Sequence, residues 1–396
     1  MLHPSPSSRA TTANGLSYHA LLRRSAIVLA MALVLSALVI PASSVRAQAA
    51  APGGPPLRIA IAGLVHGHVR GHMTAMVKRT DVELVGVYEP DAALRQTFAE
   101  THTIDAAKMF ADLDRLITTA RPEALVVYTN TFDHLKVIEI AAKHGVHVMV
   151  EKPLAVSTAH ARAIEAAAMR GKIHVLVNYE TTWYRSHRAI WRLMHEEKTG
   201  GRIRKIVAMD GHFGPKEIGT QPEFFDWLSD PVRNGAGALY DFGCYGANIA
   251  TWLLDNERPI RVTAVTQRNK PAIYPKVDDE ATIVMEYTGA QAIVQASWNW
   301  PDHRKDLEVY TESAAAWATG GAALRTKLRG QPVADVPVED WPVDEQNALN
   351  YLTAVVRGRL VPSGPTSLQN NVIVSEILDA ARESAKTGHA VMLSGK

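Results

Sequence analysis

Residues 123–153 read EALVVYTNTFDHLKVIEIAAKHGVHVMVEKP, and the hydrophobic pattern of this stretch changes period twice. Residues 123–130 and 146–150 are short apolar runs rich in β-branched side chains, which is typical of strands buried on both faces. Residues 133–144, between them, have the pattern of an amphipathic helix. Strand, helix and strand in this order predict a parallel β-α-β unit with a right-handed crossover.

The same alternation continues on both sides of this unit. Further strands are predicted at 57–63, 82–89 and 173–180, and further helices at about 69–79, at 92–101, after a cap at Asp112, and from a cap at Ser157 to about 170. The pattern predicts an α/β fold with an N-terminal doubly wound parallel (Rossmann) sheet over residues 57–180.

Beyond residue 181 the predicted strands follow one another without intervening helices. They lie at 202–213, 260–267, 280–288, 290–300 and 305–313, and helices are predicted at about 187–198, 345–357 and 368–386. Successive strands of this kind favour antiparallel pairing. Residues 181–396 are therefore expected to form a C-terminal α+β domain with a mostly antiparallel, open sheet, which binds substrate and mediates oligomerisation.

Residues 1–49 have the features of a signal peptide, and residues 50–56 form a Pro/Gly linker. Arg23 and Arg24 precede an apolar run at 26–40, and residues 47–49 have the small-x-small pattern of a cleavage site. The paired arginines fit the twin-arginine route, but the residues after them match its motif imperfectly, so the Sec route also stays open. The mature protein is expected to be periplasmic or secreted, without membrane association.

The charge balance argues against nucleic-acid binding. The formal charge of the whole chain is +2, and the leader carries four arginines and no acid, so the mature chain has a charge of −2. The mature chain has no Lys/Arg run that would bind a phosphate backbone. Cys244 is the only cysteine in the sequence, which rules out an intramolecular disulfide.

The turn after the first predicted strand reads GLVHGHVRGH, residues 63–72. A dinucleotide fingerprint has the form G-x-G-x-x-G, and this turn has Gly63, Val65 and His68 at those positions, with Gly67 available at a shifted one. Glu89 ends the second strand, where a carboxylate accepts hydrogen bonds from ribose hydroxyls and repels a 2′-phosphate. The turn and Glu89 together predict NAD as the cofactor, with NADP as the alternative.

Three blocks resemble the glucose–fructose oxidoreductase, inositol dehydrogenase and MocA (Gfo/Idh/MocA) family of oxidoreductases. They are residues 128–157, ending in Glu-Lys-Pro and a helix cap, the segment GGRIRKI at 200–206, and NGAGALYDFGCYGANIATWLLD at 234–255. The resemblance covers about residues 57–300. It implies an NAD(P)-dependent oxidoreductase that acts on CH–OH groups.

The resemblance also implies roles for residues at the ends of the predicted strands. Lys152 would be catalytic, with Glu151 near the nicotinamide, and an ammonium at this place stabilises the alkoxide that develops as hydride leaves carbon. Besides those already mentioned, the implied cofactor-binding residues are His66, Thr129, Asn130 and His134. The competing interpretation is that Glu151 and Lys152 are exposed charges at the rim.

Asp241 and Tyr245 are four residues apart, a spacing that places both on one face of a helix. The resemblance implies that both are catalytic, although most relatives have histidine where this chain has Tyr245. An unperturbed phenol has a pKa of about 10, so Tyr245 would need a cation such as Lys152 beside it to act as a base. The alternative is that Tyr245 packs between the domains.

Five histidines suggest a metal site, but their spacing in the sequence does not converge on one, and no metal is predicted. They are His66, His68, His72, His212 and His303.

The sequence therefore predicts an exported oxidoreductase that transfers hydride from a secondary hydroxyl of a sugar, cyclitol or related polyol to a tightly held nicotinamide. An exported compartment is not expected to hold free NAD, so the cofactor would have to be recycled in place. Two alternatives remain: an NAD-dependent glycosidase or lyase that oxidises its substrate transiently, and a sugar-binding relative without turnover. The family resemblance also suggests a homo-oligomer, either a dimer or a tetramer.

Overall fold

The first sheet has six parallel strands in the order β3-β2-β1-β4-β5-β6. In the computed structural model, which describes residues 54–393, these strands are β1 Leu57–Ala62, β2 Val82–Tyr88, β3 Met109–Phe110, β4 Ala124–Val127, β5 His147–Glu151 and β6 Val175–Asn178. The strand order reverses between β1 and β4, which is where doubly wound sheets bind their ligands. The predicted Rossmann sheet is confirmed.

Five helices connect these strands: α1 His68–Met76, α2 Ala92–His102, α3 Leu113–Ala120, α4 His134–Lys143 and α5 Thr158–Gly171. Asp91, Asp112 and Ser157 cap α2, α3 and α5 by accepting a backbone N–H with their side chains, as polar residues commonly do at helix starts. The two caps predicted from the sequence, at Asp112 and Ser157, are confirmed. Helix α1 has no side-chain cap and begins after Gly67.

The second sheet has nine strands in the order β14-β13-β12-β11-β7-β10-β9-β8-β15. They are β7 Ile203–Gly211, β8 Arg261–Gln267, β9 Glu280–Glu286, β10 Gln291–Ser297, β11 Arg304–Thr311, β12 Ala314–Thr319, β13 Ala323–Leu328, β14 Ala334–Asp335 and β15 Val391–Met392. All pairs are antiparallel except β7 with β10. The predicted mostly antiparallel sheet is confirmed, but the hairpin β12–β13 and the two-residue strands β14 and β15 were not predicted.

The remaining helices are α6 Arg185–His195, α7 Pro222–Leu228, α8 Ala238–Asp241, α9 Gly243–Leu253, α10 Ala348–Val356 and α11 Leu368–Thr387. Helices α9 and α11 pack on the second sheet, whereas Leu349, Leu352 and Val355 of α10 are buried in one core with Ile59 and Ile61 of β1. Part of the segment predicted as the second domain, 181–396, therefore returns to the first sheet.

The predicted signal peptide, residues 1–49, lies outside the described residues. Within residues 54–393, no helix has the length and apolarity needed to cross a bilayer.

Candidate active site

Lys152 follows directly after β5, and its side chain is buried against Asp241 at the end of α8. Its side chain is 7% exposed, and its Nζ donates to Asp241 Oδ1 at 2.5 Å and to the Asp241 carbonyl oxygen at 3.0 Å. The interpretation of Lys152 as an exposed rim charge is therefore wrong. An ammonium has three N–H donors, and the third N–H of Lys152 has no partner among residues 54–393.

The Asp241 carboxylate is held from both sides. Its Oδ2 accepts the indole N–H of Trp298 at 2.9 Å, and its Oδ1 accepts from Lys152. Burial alone would raise the pKa of Asp241 and lower that of Lys152, but the attraction between the two charges outweighs burial, so the pKa of Asp241 is lowered and the pKa of Lys152 is raised. Both groups are charged at neutral pH.

Tyr245 lies beside this pair, and two ammonium groups lie close to its ring. The Lys152 ammonium lies 5.0 Å from the centre of the Tyr245 ring, over its face, and the Lys305 ammonium lies 4.7 Å from the same centre. Burial raises the pKa of Tyr245 well above its ordinary value, and the Glu180 carboxylate raises it further. Burial therefore favours the neutral phenol in this structure, even with Lys152 beside the ring, and a role of Tyr245 as a base stays a prediction.

The helix that was expected to carry both Asp241 and Tyr245 is broken between them. Asp241 ends α8, Phe242 separates the two helices, and Tyr245 lies in the first turn of α9. The Phe242 ring and the Tyr245 ring stack at 28° with centroids 5.9 Å apart. This stacking holds both aromatic side chains next to the Lys152 ammonium.

A cavity of about 320 Å³, here called the His212 cavity, opens next to these residues. Its lining includes Glu180, His212, Phe242 and Lys305. Burial lowers the pKa of His212 to about 4, so its imidazole is neutral at pH 7. His212 Nδ1 accepts the Gly214 N–H at 2.9 Å, so the proton of the neutral ring is on Nε2 and can be donated to a ligand.

Three residues of this region were missed as site residues from the sequence. Trp298 orients Asp241, while Glu180 and Lys305 form an ion pair in the lining of the His212 cavity. Glu180 follows β6 of the first sheet and Lys305 lies in β11 of the second sheet. No sequence pattern indicates that these two residues meet. Trp298 follows directly after β10. In the sequence, nothing distinguishes it from an aromatic residue that is buried only for packing.

The turn between β1 and α1 fits a dinucleotide. Gly63 has φ of +86°, and a Cβ on it would lie 2.5 Å from Thr129 Cγ2, so only glycine allows this approach. The start of α1 has no side-chain cap from Gly67, but the N–H groups of His68 and Val69 donate to His66 in this structure, so a diphosphate bound there stays a prediction. In addition, the buried Nε2 of His134 has no partner among residues 54–393, while its Nδ1 contacts the Leu154 carbonyl oxygen at 3.2 Å.

Glu89 lies at the end of β2, as expected, but its side chain is buried and accepts hydrogen bonds from two backbone N–H groups. One carboxylate oxygen accepts the Leu64 N–H at 2.8 Å and the other accepts the Asp91 N–H at 3.0 Å. Burial raises the pKa of Glu89 although these N–H groups oppose the rise. Each oxygen keeps one lone pair, so a bond to ribose stays a prediction.

Helix α7 covers other predicted cofactor-binding residues. Trp227 donates its indole N–H to the Val65 carbonyl oxygen at 3.2 Å, and a Cβ on Gly67 would lie 3.1 Å from Phe224. The small size of Gly67 therefore accommodates α7 in this structure.

Asn130, another predicted cofactor-binding residue, caps the short turn before α4 by accepting the Asp133 N–H at 3.1 Å.

Glu151 is the centre of a cluster with two histidines. Its Oε2 lies 3.2 Å from His68 Nδ1 and 4.0 Å from His66 Nε2, and its Oε1 accepts from the Asn178 amide at 2.9 Å. Burial would raise the pKa of Glu151, but the imidazoles of His68 and His66 outweigh it, and the pKa is lowered. Glu151 is therefore a carboxylate.

The same cluster could hold a metal ion, since one ligand atom from each of His66, His68 and Glu151 lies within 4.8 Å of the others. The histidines were expected not to converge on a metal site. This expectation is wrong for His66 and His68, which meet at Glu151. However, His66 Nδ1 accepts the backbone N–H of His68 at 3.2 Å, which places the ring proton on Nε2, the atom that faces Glu151. That proton would have to leave before a metal could bind.

Comparison with known proteins identifies the family to which this chain belongs. Residues 57–179 match the family model described as "Oxidoreductase family, NAD-binding Rossmann fold", and residues 187–316 match the GFO/IDH/MocA C-terminal domain. The two matches cover more than half of the chain. The chain belongs to the Gfo/Idh/MocA oxidoreductase family, and its first domain is an NAD-binding Rossmann domain.

Individual relatives are distant. Trans-1,2-dihydrobenzene-1,2-diol dehydrogenase from Xenopus laevis is 26% identical over 219 residues, which are 55% of this chain and 61% of that protein. D-Apiose dehydrogenase from Paraburkholderia graminis is 24% identical over 82% of this chain and 86% of its own length. The solved structure of an inositol dehydrogenase homologue from Azotobacter vinelandii with NAD+ has a TM-score of 0.74 at 21% identity, covering 86% of this chain and 98% of that one.

Proposed function

We propose that this chain is an NAD-dependent dehydrogenase that oxidises a secondary ring hydroxyl of a sugar or cyclitol. The observation that carries this proposal is the third N–H of Lys152, which has no partner among residues 54–393 while Asp241 fixes the other two. A fixed, charged donor with one free N–H suits an oxygen atom that gains negative charge during the reaction.

The names of the relatives support the substrate class. A dihydrodiol and an inositol are cyclic polyols with neighbouring hydroxyl groups, and apiose is a sugar. The His212 cavity is lined by polar and charged side chains, which suit a polyhydroxylated ligand better than an apolar one.

Each residue of the site then has a role. NAD, when bound, accepts the hydride. Lys152 donates its free N–H to the reacting oxygen, and Asp241 keeps the ammonium charged and oriented. Tyr245, a neutral phenol, accepts the hydroxyl proton while its own phenolic proton passes to solvent water, so the phenol stays neutral. The Nε2–H of His212 donates to a second hydroxyl of the substrate.

Export and a tightly held cofactor complete the proposal. Support comes from the sequence of residues 1–49, with its paired arginines and apolar run. Twin-arginine export carries folded proteins and would allow a loaded cofactor to leave the cytoplasm. Replacement of Arg23 and Arg24 by lysines is expected to block export, and unchanged export would exclude this route without excluding a signal peptide.

The function is tested by incubating purified protein with NAD and single sugars or cyclitols and measuring NADH absorbance together with the products. Formation of NADH and of an oxidised product is the expected result. Cleavage of a glycoside without net NADH would instead identify a glycosidase. Protein with no bound nicotinamide and no affinity for NAD or NADP would identify a binding protein.

A further inference from the structure

A second cavity, of about 300 Å³, is lined by aromatic side chains and lies apart from Lys152. It forms where the end of β6, helix α6, the end of α9 and the segments around α10 meet. Four indoles line it, and the cavity is here called the tryptophan pocket: Trp183, Trp191, Trp252 and Trp341. Its volume is at the lower end of ligand sites, which range from about 300 to 1,000 Å³.

Four buried polar atoms of this pocket have no hydrogen-bond partner among residues 54–393. They are Thr182 Oγ1, Arg188 Nη1, Asn256 Oδ1 and Trp341 Nε1. Thr182 is only 5% exposed, and the nearest carboxylate to Arg188 Nη1, that of Glu345, is 3.8 Å away. Buried polar atoms in folded proteins almost always have partners. Four such atoms around one cavity point to a ligand that supplies partners once their side chains turn toward it, because none of the four is accessible in the free protein.

The unpartnered atoms include both kinds of hydrogen-bonding group. Arg188 and Trp341 offer N–H donors, Asn256 offers an acceptor, and the Thr182 hydroxyl can be either. The indoles add flat surfaces: the rings of Trp191 and Trp252 are parallel within 2°, with centroids 5.9 Å apart. A sugar ring combines hydroxyl groups with a flat C–H face, and it matches both features of this pocket.

The charges around the pocket favour a neutral ligand. The Arg188 guanidinium already lies 4.1 Å from the centre of the Trp341 ring, which leaves that face unavailable to a cation. The carboxylates of Asp255 and Glu345 also line the pocket and would repel an anion. A neutral polyhydroxylated ring avoids both conflicts.

We propose that the tryptophan pocket is a binding site for a neutral saccharide unit, separate from the site of hydride transfer. Trp183 connects the two sites, because its indole N–H donates to Asn178 at 3.0 Å and the Asn178 amide donates to Glu151 at 2.9 Å. A saccharide bound against Trp183 is therefore two hydrogen bonds from the residue next to Lys152. This inference goes beyond the proposed reaction and does not depend on it.

The test uses two variants that each remove one unpartnered polar atom. Thr182→Val keeps the shape of the side chain, and Trp341→Phe keeps an aromatic ring but makes it smaller. Each removes one polar group that has no partner among residues 54–393. The matched control is Thr181→Val, since Thr181 Oγ1 is also buried and unpartnered but Thr181 does not line the tryptophan pocket. Calorimetric titration without added NAD measures binding of D-glucose, maltose and cellobiose, with tetramethylammonium and acetate as charged probes.

At least one of the three saccharides is expected to bind the wild-type protein, and Thr182→Val and Trp341→Phe should each raise its Kd about 3- to 10-fold. Neither variant should lower the melting temperature, and Thr181→Val should leave the Kd unchanged. Binding of no saccharide, equal affinity in all four proteins, or preference for a charged probe would overturn the proposal. NADH formation is measured separately, so that loss of the proposed reaction and loss of this site are distinguishable.

Discussion

The Lys152–Asp241 pair predicts a specific pattern of stability in a double-mutant cycle. Lys152→Met keeps the length of the side chain and removes the charge. Of the hydrogen bonds that residues 54–393 make to the buried Asp241 carboxylate, the one from the Trp298 N–H then remains. Asp241→Asn leaves the Lys152 ammonium buried without a counter-charge. Removal of one partner of a buried pair costs about 3–5 kcal/mol, so each single variant should lose that much.

The double variant Lys152→Met/Asp241→Asn removes both charges. It should therefore be more stable than the sum of the single effects predicts, by at least about 2 kcal/mol. The wild-type pair has a lowered carboxyl pKa and a raised ammonium pKa, so its contribution is lost as pH falls below the ordinary range of Asp or rises above that of Lys. In Lys152→Met, burial should raise the pKa of Asp241, so this variant should gain stability relative to wild type as pH falls from about 8 to about 5.

Urea unfolding of the four proteins at both pH values, followed by tryptophan fluorescence, measures these quantities. Lys108→Met is a matched control, because Lys108 donates to the Leu84 carbonyl oxygen at 2.9 Å and lies outside the site. Single variants that lose less than about 1 kcal/mol, as exposed pairs do, would refute the argument, and so would strictly additive effects.

Three further predictions concern the cofactor, the phenol and the metal. Glu89→Ala removes the charge that repels a 2′-phosphate, so the ratio of NADP to NAD affinity should rise at least about tenfold in a binding titration; an unchanged ratio would make Glu89 a purely structural turn residue. Tyr245→Phe should lower kcat by less than Lys152→Met does and leave the pH profile unchanged below pH about 10, because the wild-type phenol does not ionise there; a profile that loses an inflection near neutral pH would restore the phenolate base. Dialysis against EDTA should leave both turnover and NAD binding unchanged, because the inward nitrogen of His66 carries its proton; loss of activity that Zn²⁺ restores would establish a metal site at His66, His68 and Glu151.

The first half of the fold could be predicted from the sequence because its signals are local. The strands of the first sheet are buried on both faces and read as continuous apolar runs, and Asp112 and Ser157 stand where helices begin. The hairpin β12–β13 was missed because Ala314–Thr319 reads AAAWAT, and alanine has little preference for strands. Helix α7 was missed because seven residues are too few to establish a period.

Site residues could be predicted from the sequence only where the residue stands in a distinctive local block. Lys152 and Asp241 stand in distinctive blocks, and the structure brings them into contact. The pKa of Tyr245 depends on burial and on Glu180, which follows β6 in the other sheet, and no local pattern reports that proximity. The cluster of His66, His68 and Glu151 likewise forms because β1 and β5 end at the same edge of the first sheet.

The central claim is that the free N–H of Lys152 stabilises the reacting oxygen during hydride transfer. The most direct measurement is the single-turnover rate of NADH formation by enzyme saturated with NAD and a sugar or cyclitol that the wild type oxidises. Lys152→Met should lower this rate by about 10²–10³-fold while NAD affinity stays within about threefold of wild type, and Lys108→Met should match the wild type. A Lys152→Met rate close to that of the wild type, in protein shown to be folded, would contradict the account.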